Sequence, residues 1–320
     1  MPRLRRAHPS DDPGIRRRRA GKGWTYLHDD GSKVSDEDRE RAAALVLPPA
    51  WTDVWIAADS LAHIQATGVD AAGRTQYRYH EAWSAKRDRV KFERALDLAE
   101  ALPAARRRIT SDLGAEGLGR ERVLAAAMRL LDVVAIRAGG DAYAEDNGSR
   151  GLMTLLVRHA TVDGDAVRLR FPAKSGQKFD VTVEDAPLAR CIAELCSRSG
   201  RSRLFAWDDG SRTRRALRDS DLNAAVKEAT GGEFTAKDFR TLHGTIVAAD
   251  ALARARDVGT QRERQRAIRQ AVVEVSQTLG NTPSVARASY IDPEVFERFE
   301  AGEVVGLKGA RERALLALLR

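Results

Sequence analysis

At 320 residues the chain is too long for one small domain, and two domains are the natural expectation. Hydrophobic residues make up 43%, which excludes wholesale disorder, and no run of about 18 apolar residues is present to span a membrane. Lys and Arg number 54 against 46 Asp and Glu, a formal charge of +8 that favours polyanionic partners through counterion release. Arginine is abundant throughout, so charge alone does not name that partner.

The first stretch, residues 1–13, reads as a flexible basic arm. From Trp24 to His80, aromatic and β-branched residues come in short runs separated by Gly and Asp, which predicts small β-structure with hairpins. Within it "SDEDRERAAALVL" opens on Ser35 and predicts a short capped helix. After Ser84 the texture turns helical, through "AKRDRVKFERALDLAEALPAARRRITSDL" and on to "RERVLAAAMRLLDVVAIRAG". The expected division is a β-rich domain over 1–88 and a mainly helical one over 89–320. One interruption, "LMTLLVRHATVDGDAVRLRFPAKSGQKFDVTV", holds three strand-like runs with turns at "DGD" and "KSGQ". Helices are expected from "APLARCIAELCSRSG" to the end. The fold class is therefore α+β, with a small three-stranded antiparallel sheet inside the helical domain. Cys191 and Cys196, on one of those helices, read as buried small hydrophobes rather than a disulfide framework or zinc site. With no apolar secretory segment at the N-terminus, a cytosolic protein is expected.

Nucleotide and metal chemistry find little support. No G-x-x-x-x-G-K-[ST] loop is present, the six histidines lack metal-ligand spacing, and no D-x-D or D-D-E cluster is built for Mg²⁺. No cofactor is expected, and any catalysis would be metal-free and nucleotide-free.

Four places carry candidate chemistry. In "TAKDFRTLHGT", Thr235 and Asp238 form a capping box, which sets Arg240 in the first turns of a helix where the macrodipole favours an anion. A surface arginine paired with Asp238 or Glu233 is the bland alternative. Arg137 closes an apolar helix, where it would either pair with Asp132, cap the last carbonyls or bind phosphate. Lys174 sits at the tip of the second predicted hairpin, as a proton donor or a solvated turn lysine. In "LGNTPSVARASYID", Gly280 fits a helix C′ position, Thr282 an N-cap and Pro283 the first helical residue, bringing Tyr290 two turns on. A phenol with a pKa of about 10 is a poor nucleophile at neutral pH. Two arginines on the non-bridging oxygens and a lysine for the departing alkoxide would make it a competent one on a phosphodiester.

The ordered set Arg137, Lys174, Lys237-x-x-Arg240, Asn281 and Tyr290 resembles the type IB DNA topoisomerases, in the compact poxvirus-like branch found in bacteria. The strings "TQYRYH", "AKRDRVKF", "IRAGG" followed by "GLMTL", "AKSG", "KDFRTLHGT" and "LGNTPSVARASY" carry the resemblance over about residues 24–300. It implies two domains clamping duplex DNA, a monomer in the nucleoid-containing cytoplasm, and relaxation of supercoils without ATP or metal. It also implies that Tyr290 attacks one strand to leave a 3′-phosphotyrosyl link, Arg137 and Arg240 hold the scissile phosphate, and Lys174 protonates the 5′-oxygen. Asn281 stands where many relatives carry histidine. An asparagine donates a hydrogen bond but neither carries charge nor transfers a proton, which restricts that position to hydrogen bonding. Gln76, Tyr77 and Tyr79 match a DNA-touching strand, and Arg87 and Lys237 are further candidate phosphate contacts. Alternation sets Gln76 and Arg78 on one face and the tyrosines on the other, and either face could meet DNA. The competing readings are a tyrosine recombinase, which usually shows H-x-x-R and a helical N-terminal domain, and a non-catalytic DNA-binding protein.

Overall fold

The computed structural model describes residues 3–140, 148–210 and 214–320. They divide into two compact units, residues 1–90 and 91–320, in an α+β chain. No helix among the described residues is long and apolar enough to cross a membrane.

The N-terminal unit is built on one antiparallel sheet of five strands: β1 (Gly14–Ala20), β2 (Gly23–His28), β3 (Thr52–Ala57), β4 (Ile64–Val69) and β5 (Thr75–Tyr79). Their order is β2-β1-β3-β4-β5, which leaves β5 at an edge. Strand β3 shows why both faces are covered. Val54 and Ile56 point to one side, where Ile15, Ala42 and Ala66 join them, and Trp55 and Ala57 point to the other. Helix α1 (Asp36–Ala44) supplies Ala42, and its N-terminus is capped by Ser35, whose hydroxyl accepts from the Asp38 N–H at 3.0 Å.

Two expectations change here. Residues 3–13 do not stand off as an arm. Arg5 exchanges backbone hydrogen bonds with Leu61 and His63 at 2.9 and 2.8 Å, and buried Ala7 covers Trp55. Trp55 would otherwise face water, which is the physical reason the segment docks. The β-structure also begins ten residues earlier than Trp24, in the arginine run of β1. Arg17 is buried there, its guanidinium 4.1 Å over the Trp24 ring and donating to the carbonyls of Leu47, Pro48 and Trp51.

Helix α2 (Glu81–Leu113) leads into the larger unit, followed by α3 (Arg120–Val134). The three-stranded sheet, β6 (Ala160–Asp163), β7 (Ala166–Pro172) and β8 (Lys178–Glu184), is antiparallel with β7 central. Then come α4 (Ala186–Cys196), α5 (Asp219–Thr230), α6 (Ala236–Arg254), α7 (Gln261–Leu279), α8 (Pro283–Tyr290), α9 (Glu294–Glu300) and α10 (Arg311–Leu319). Helices do not run unbroken after α4: β9 (Ala206–Asp208) and β10 (Arg214–Ala216) pair as a short ribbon. Cys191 is fully buried and Cys196 half-buried, and both are free thiols. One continuous apolar core joins α3, α4, α6 and α7 to the inner face of the sheet. A buried charge sits inside it. Asp132, 3% exposed, is gripped by Arg106 at 2.8 and 2.9 Å, and Arg106 also reaches Glu312 at 2.5 Å. With Arg311 paired to Asp250, these contacts tie α10 to α2 and α6.

Candidate active site

Helix α3 ends at Val134, three residues short of Arg137, because Ala135 adopts the left-handed conformation with φ 51°. Arg137 therefore lies in the extended segment beyond the helix. That segment pairs with a second strand of chain: the Arg137 and Ala138 carbonyls accept the N–H groups of Leu152 and Met153, each at 2.8 Å. Gly139 and Gly151 make this possible, since a Cβ on Gly139 would come within 2.6 Å of the Gly151 Cα. The strings "IRAGG" and "GLMTL" are thus the two sides of one backbone contact. Asp132, the partner weighed for Arg137 on sequence, is taken by Arg106 instead.

Arg240 enters on the first turns of α6, whose N-cap is Thr235. The Asp238 carboxylate accepts from the Thr235 N–H at 2.7 Å and from Arg94 at 2.7 Å, so it is not the partner of Arg240. Arg240, only 5% exposed, donates to the Ala135 carbonyl at 2.6 Å and the Leu279 carbonyl at 2.8 Å. Those carbonyls close α3 and α7, so the guanidinium sits where two helix dipoles present their negative ends. Its Nε is buried with no hydrogen-bond partner. Burial lowers the Arg240 pKa, partly offset by the nearby Tyr290 phenol.

Gly280 ends α7 in the left-handed conformation, φ 59°, and Thr282 caps α8, accepting from the Val285 N–H at 3.3 Å ahead of Pro283. Between them, Asn281 Oδ1 accepts from Arg137, which also donates to the Gly280 carbonyl at 3.1 Å. Asn281 Nδ2 is buried without a partner. Two turns on, the Tyr290 ring lies 5.0 Å from the Arg240 guanidinium carbon. Burial alone would raise the Tyr290 pKa. The charge of Arg240 and its hydrogen bond, with Arg137 and Lys237 adding their charge, outweigh that and bring it below the ordinary phenol value.

Arg137, Arg240, Asn281 and Tyr290 are therefore one constellation. Lys174 lies in the 3₁₀ turn joining β7 and β8 and shares with Arg137 the wall of a cavity of about 300 Å³. Lys237 is exposed on the first turn of α6, and its charge reaches the phenol. In the N-terminal unit Tyr77 and Tyr79 stack at 5.9 Å, and Arg87 lies 5.3 Å over the Tyr79 ring. The tyrosines thus share a face with Arg87, while Gln76 turns to Asp70 at 2.9 Å. Among the described residues no group of three His, Cys, Asp or Glu side chains is set to hold a metal ion. Sequence reasoning passed over Gly244 and Thr245, whose contacts with Tyr290 are tertiary. A glycine in mid-helix was the one local signal.

Residues 80–305 match the family model described as eukaryotic DNA topoisomerase I, catalytic core, and residues 23–70 match bacterial DNA topoisomerase IB, N-terminal domain. The chain belongs to the type IB DNA topoisomerases. Among relatives of this topoisomerase, DNA topoisomerase 1B of Acanthamoeba polyphaga mimivirus is 30% identical over 295 residues, 90% of this chain and 88% of the viral protein. DNA topoisomerase 1 alpha of Arabidopsis thaliana is 29% identical over 168 residues, 52% of this chain but 17% of the plant protein. Both matched families are topoisomerases, so the recombinase reading is set aside. The sheet-based N-terminal unit agrees, since recombinases were expected to begin with helices.

Proposed function

We propose that this topoisomerase relaxes supercoiled duplex DNA, acting as a monomer through a 3′-phosphotyrosyl intermediate on Tyr290. The Tyr290 oxygen attacks the scissile phosphorus and forms the O–P bond as the bond to the 5′-oxygen breaks. The phenolic proton leaves to solvent, and Lys174 delivers a proton to the departing 5′-oxygen. Arg137 and Arg240 hold the non-bridging oxygens, whose charge grows in the pentacoordinate transition state. Asn281 Nδ2 donates to the same oxygens. After the DNA swivels, the 5′-hydroxyl attacks the phosphotyrosine and restores the original bond. One phosphodiester is exchanged for another, so the cycle needs no ATP.

One observation carries the reading. The phenol lies beside Arg240, whose buried Nε lacks a protein acceptor, and Asn281, bonded to Arg137, holds a second buried donor, Nδ2, that lacks one too. Buried donors are seldom left unpaired, and a phosphate oxygen would satisfy them. The face that carries exposed Tyr77 and Arg87 beside half-buried Tyr79 is proposed to contact DNA as well.

The test is relaxation of supercoiled plasmid in EDTA without ATP. Wild-type protein should relax it, and Tyr290→Phe should not. Plasmid left supercoiled by the wild type would overturn the mechanism. Lys174→Ala should slow cleavage strongly and recover on a 5′-bridging phosphorothiolate, whose leaving group needs no proton. Absence of that recovery removes Lys174 as the acid.

A further inference from the structure

Helix α8 is eight residues long, too short to hold its own shape in water, yet its last residue is Tyr290. Something outside the helix must fix that end. Ala286 and Ile291, both fully buried, anchor its inner side. Helix α7 packs along it as well, and at the Tyr290 end the close contacts come from α6, one turn beyond Arg240. A Cβ on Gly244 would lie 2.4 Å from the Tyr290 carbonyl oxygen and 3.0 Å from the Tyr290 Cβ. The two backbones meet at a distance that only glycine permits.

Next to it, Thr245 is 2% exposed. Its hydroxyl accepts the Asp292 N–H at 3.2 Å and donates to the Thr241 carbonyl at 3.0 Å, with the Tyr290 carbonyl oxygen 3.4 Å away. Asp292 lies just past the helix end, where a backbone N–H has no intrahelical partner, and Thr245 supplies one. Arg240 and Gly244 are four apart on α6 and so lie on one face, which is the face Tyr290 packs against.

We propose that Gly244 and Thr245 are positioning residues that hold Tyr290 in register with Arg240, so that nucleophile and phosphate-binding arginine share one rigid frame. The proposal rests on the reading of Tyr290 as nucleophile. An ångström of misplacement at a reacting centre costs about a hundredfold in rate, which gives a lock of this kind its value.

Thr245→Val keeps the side-chain shape and removes the hydroxyl, and Thr245→Ser returns it. Single-turnover cleavage, DNA affinity, melting temperature and the ultraviolet titration of the Tyr290 phenol, read against Tyr290→Phe, are measured on the full chain. Thr245→Val should slow cleavage by about 10- to 100-fold with affinity unchanged. Its phenol should titrate higher as the ring leaves the guanidinium, and Thr245→Ser should restore both. Gly244→Ala should lose more. If that variant does not fold, Thr245→Val carries the test. Wild-type cleavage and an unmoved phenol titration in Thr245→Val overturn the proposal. So does a loss of rate that follows melting temperature alone and is not restored by serine. If wild-type protein forms no tyrosyl adduct, the reaction itself fails, while the phenol titration still reads whether Tyr290 is registered on Arg240.

Discussion

Replacing Asn281 with alanine separates a structural asparagine from a catalytic one. A guanidinium has donors only, so the amide oxygen must face Arg137, which turns Nδ2 away toward the place a phosphate oxygen would occupy. Alanine removes both interactions. A hydrogen bond to a charged group contributes about 1.5–3 kcal/mol. At 1.36 kcal/mol per tenfold in rate, loss of one such bond slows cleavage by about 10- to 150-fold. The assay is single-turnover formation of the covalent complex on a duplex with a short leaving strand, with affinity titrated in parallel. Affinity should change little, because the Arg137 charge stays. Asn281→His extends the test. Neutral imidazole keeps one acceptor for Arg137, whereas imidazolium has none, so the ratio of this variant's rate to the wild-type rate should fall as pH drops through about 6.5. Cleavage at the wild-type rate by Asn281→Ala would refute the reasoning.

The wild-type cleavage rate should rise with pH and level off below the ordinary phenol value of about 10, and Arg240→Gln should move the plateau upward, because only Arg137 and Lys237 then oppose the effect of burial on Tyr290. A plateau unmoved by that change contradicts the electrostatic reading. Arg106→Ala strands the buried Asp132 carboxylate and should cost about 3 kcal/mol, at the low end for a broken buried pair because Arg106 is itself a third exposed. Thermal unfolding should then start several degrees lower, and an unchanged melting temperature contradicts it. Asp70, held at about 2 by its hydrogen bonds with Arg74, contributes stability that is present above the unfolded carboxylate value near 3.9 and lost as pH falls toward 2. Asp70→Asn should therefore speed amide exchange over Thr75–Tyr79 at neutral pH, and equal protection in both proteins would count against this role.

Where chemistry is local, the sequence carried the structure. Ser35 capping α1, Thr235 opening α6, and Gly280, Thr282 and Pro283 breaking α7 from α8 are interactions within a few residues, readable from residue type and spacing. The order of Arg137, Lys174, Arg240, Asn281 and Tyr290, the set proposed to be catalytic, was also readable along the chain, and the structure brings Arg137, Arg240, Asn281 and Tyr290 together. What was not legible depends on tertiary partners. Strand β1 reads as a solvated arginine run until Trp24 and the carbonyls of Leu47, Pro48 and Trp51 are brought around Arg17. Docking of residues 3–13 follows from which face Trp55 takes. The left-handed turn at Ala135 has no glycine to announce it, and its carbonyl is held by a residue 105 positions away. Gly244 and Thr245 acquire meaning only once α8 lies across α6.

The central claim is that Tyr290 attacks the 3′ side of a broken strand. A nicked or truncated duplex that traps the covalent complex, digested and mapped by mass spectrometry, reads both partners of the bond. The expected result is a nucleotide 3′-phosphate on Tyr290 with a free 5′-hydroxyl on the released strand. Attachment through a 5′-phosphate, or to any other residue, contradicts it.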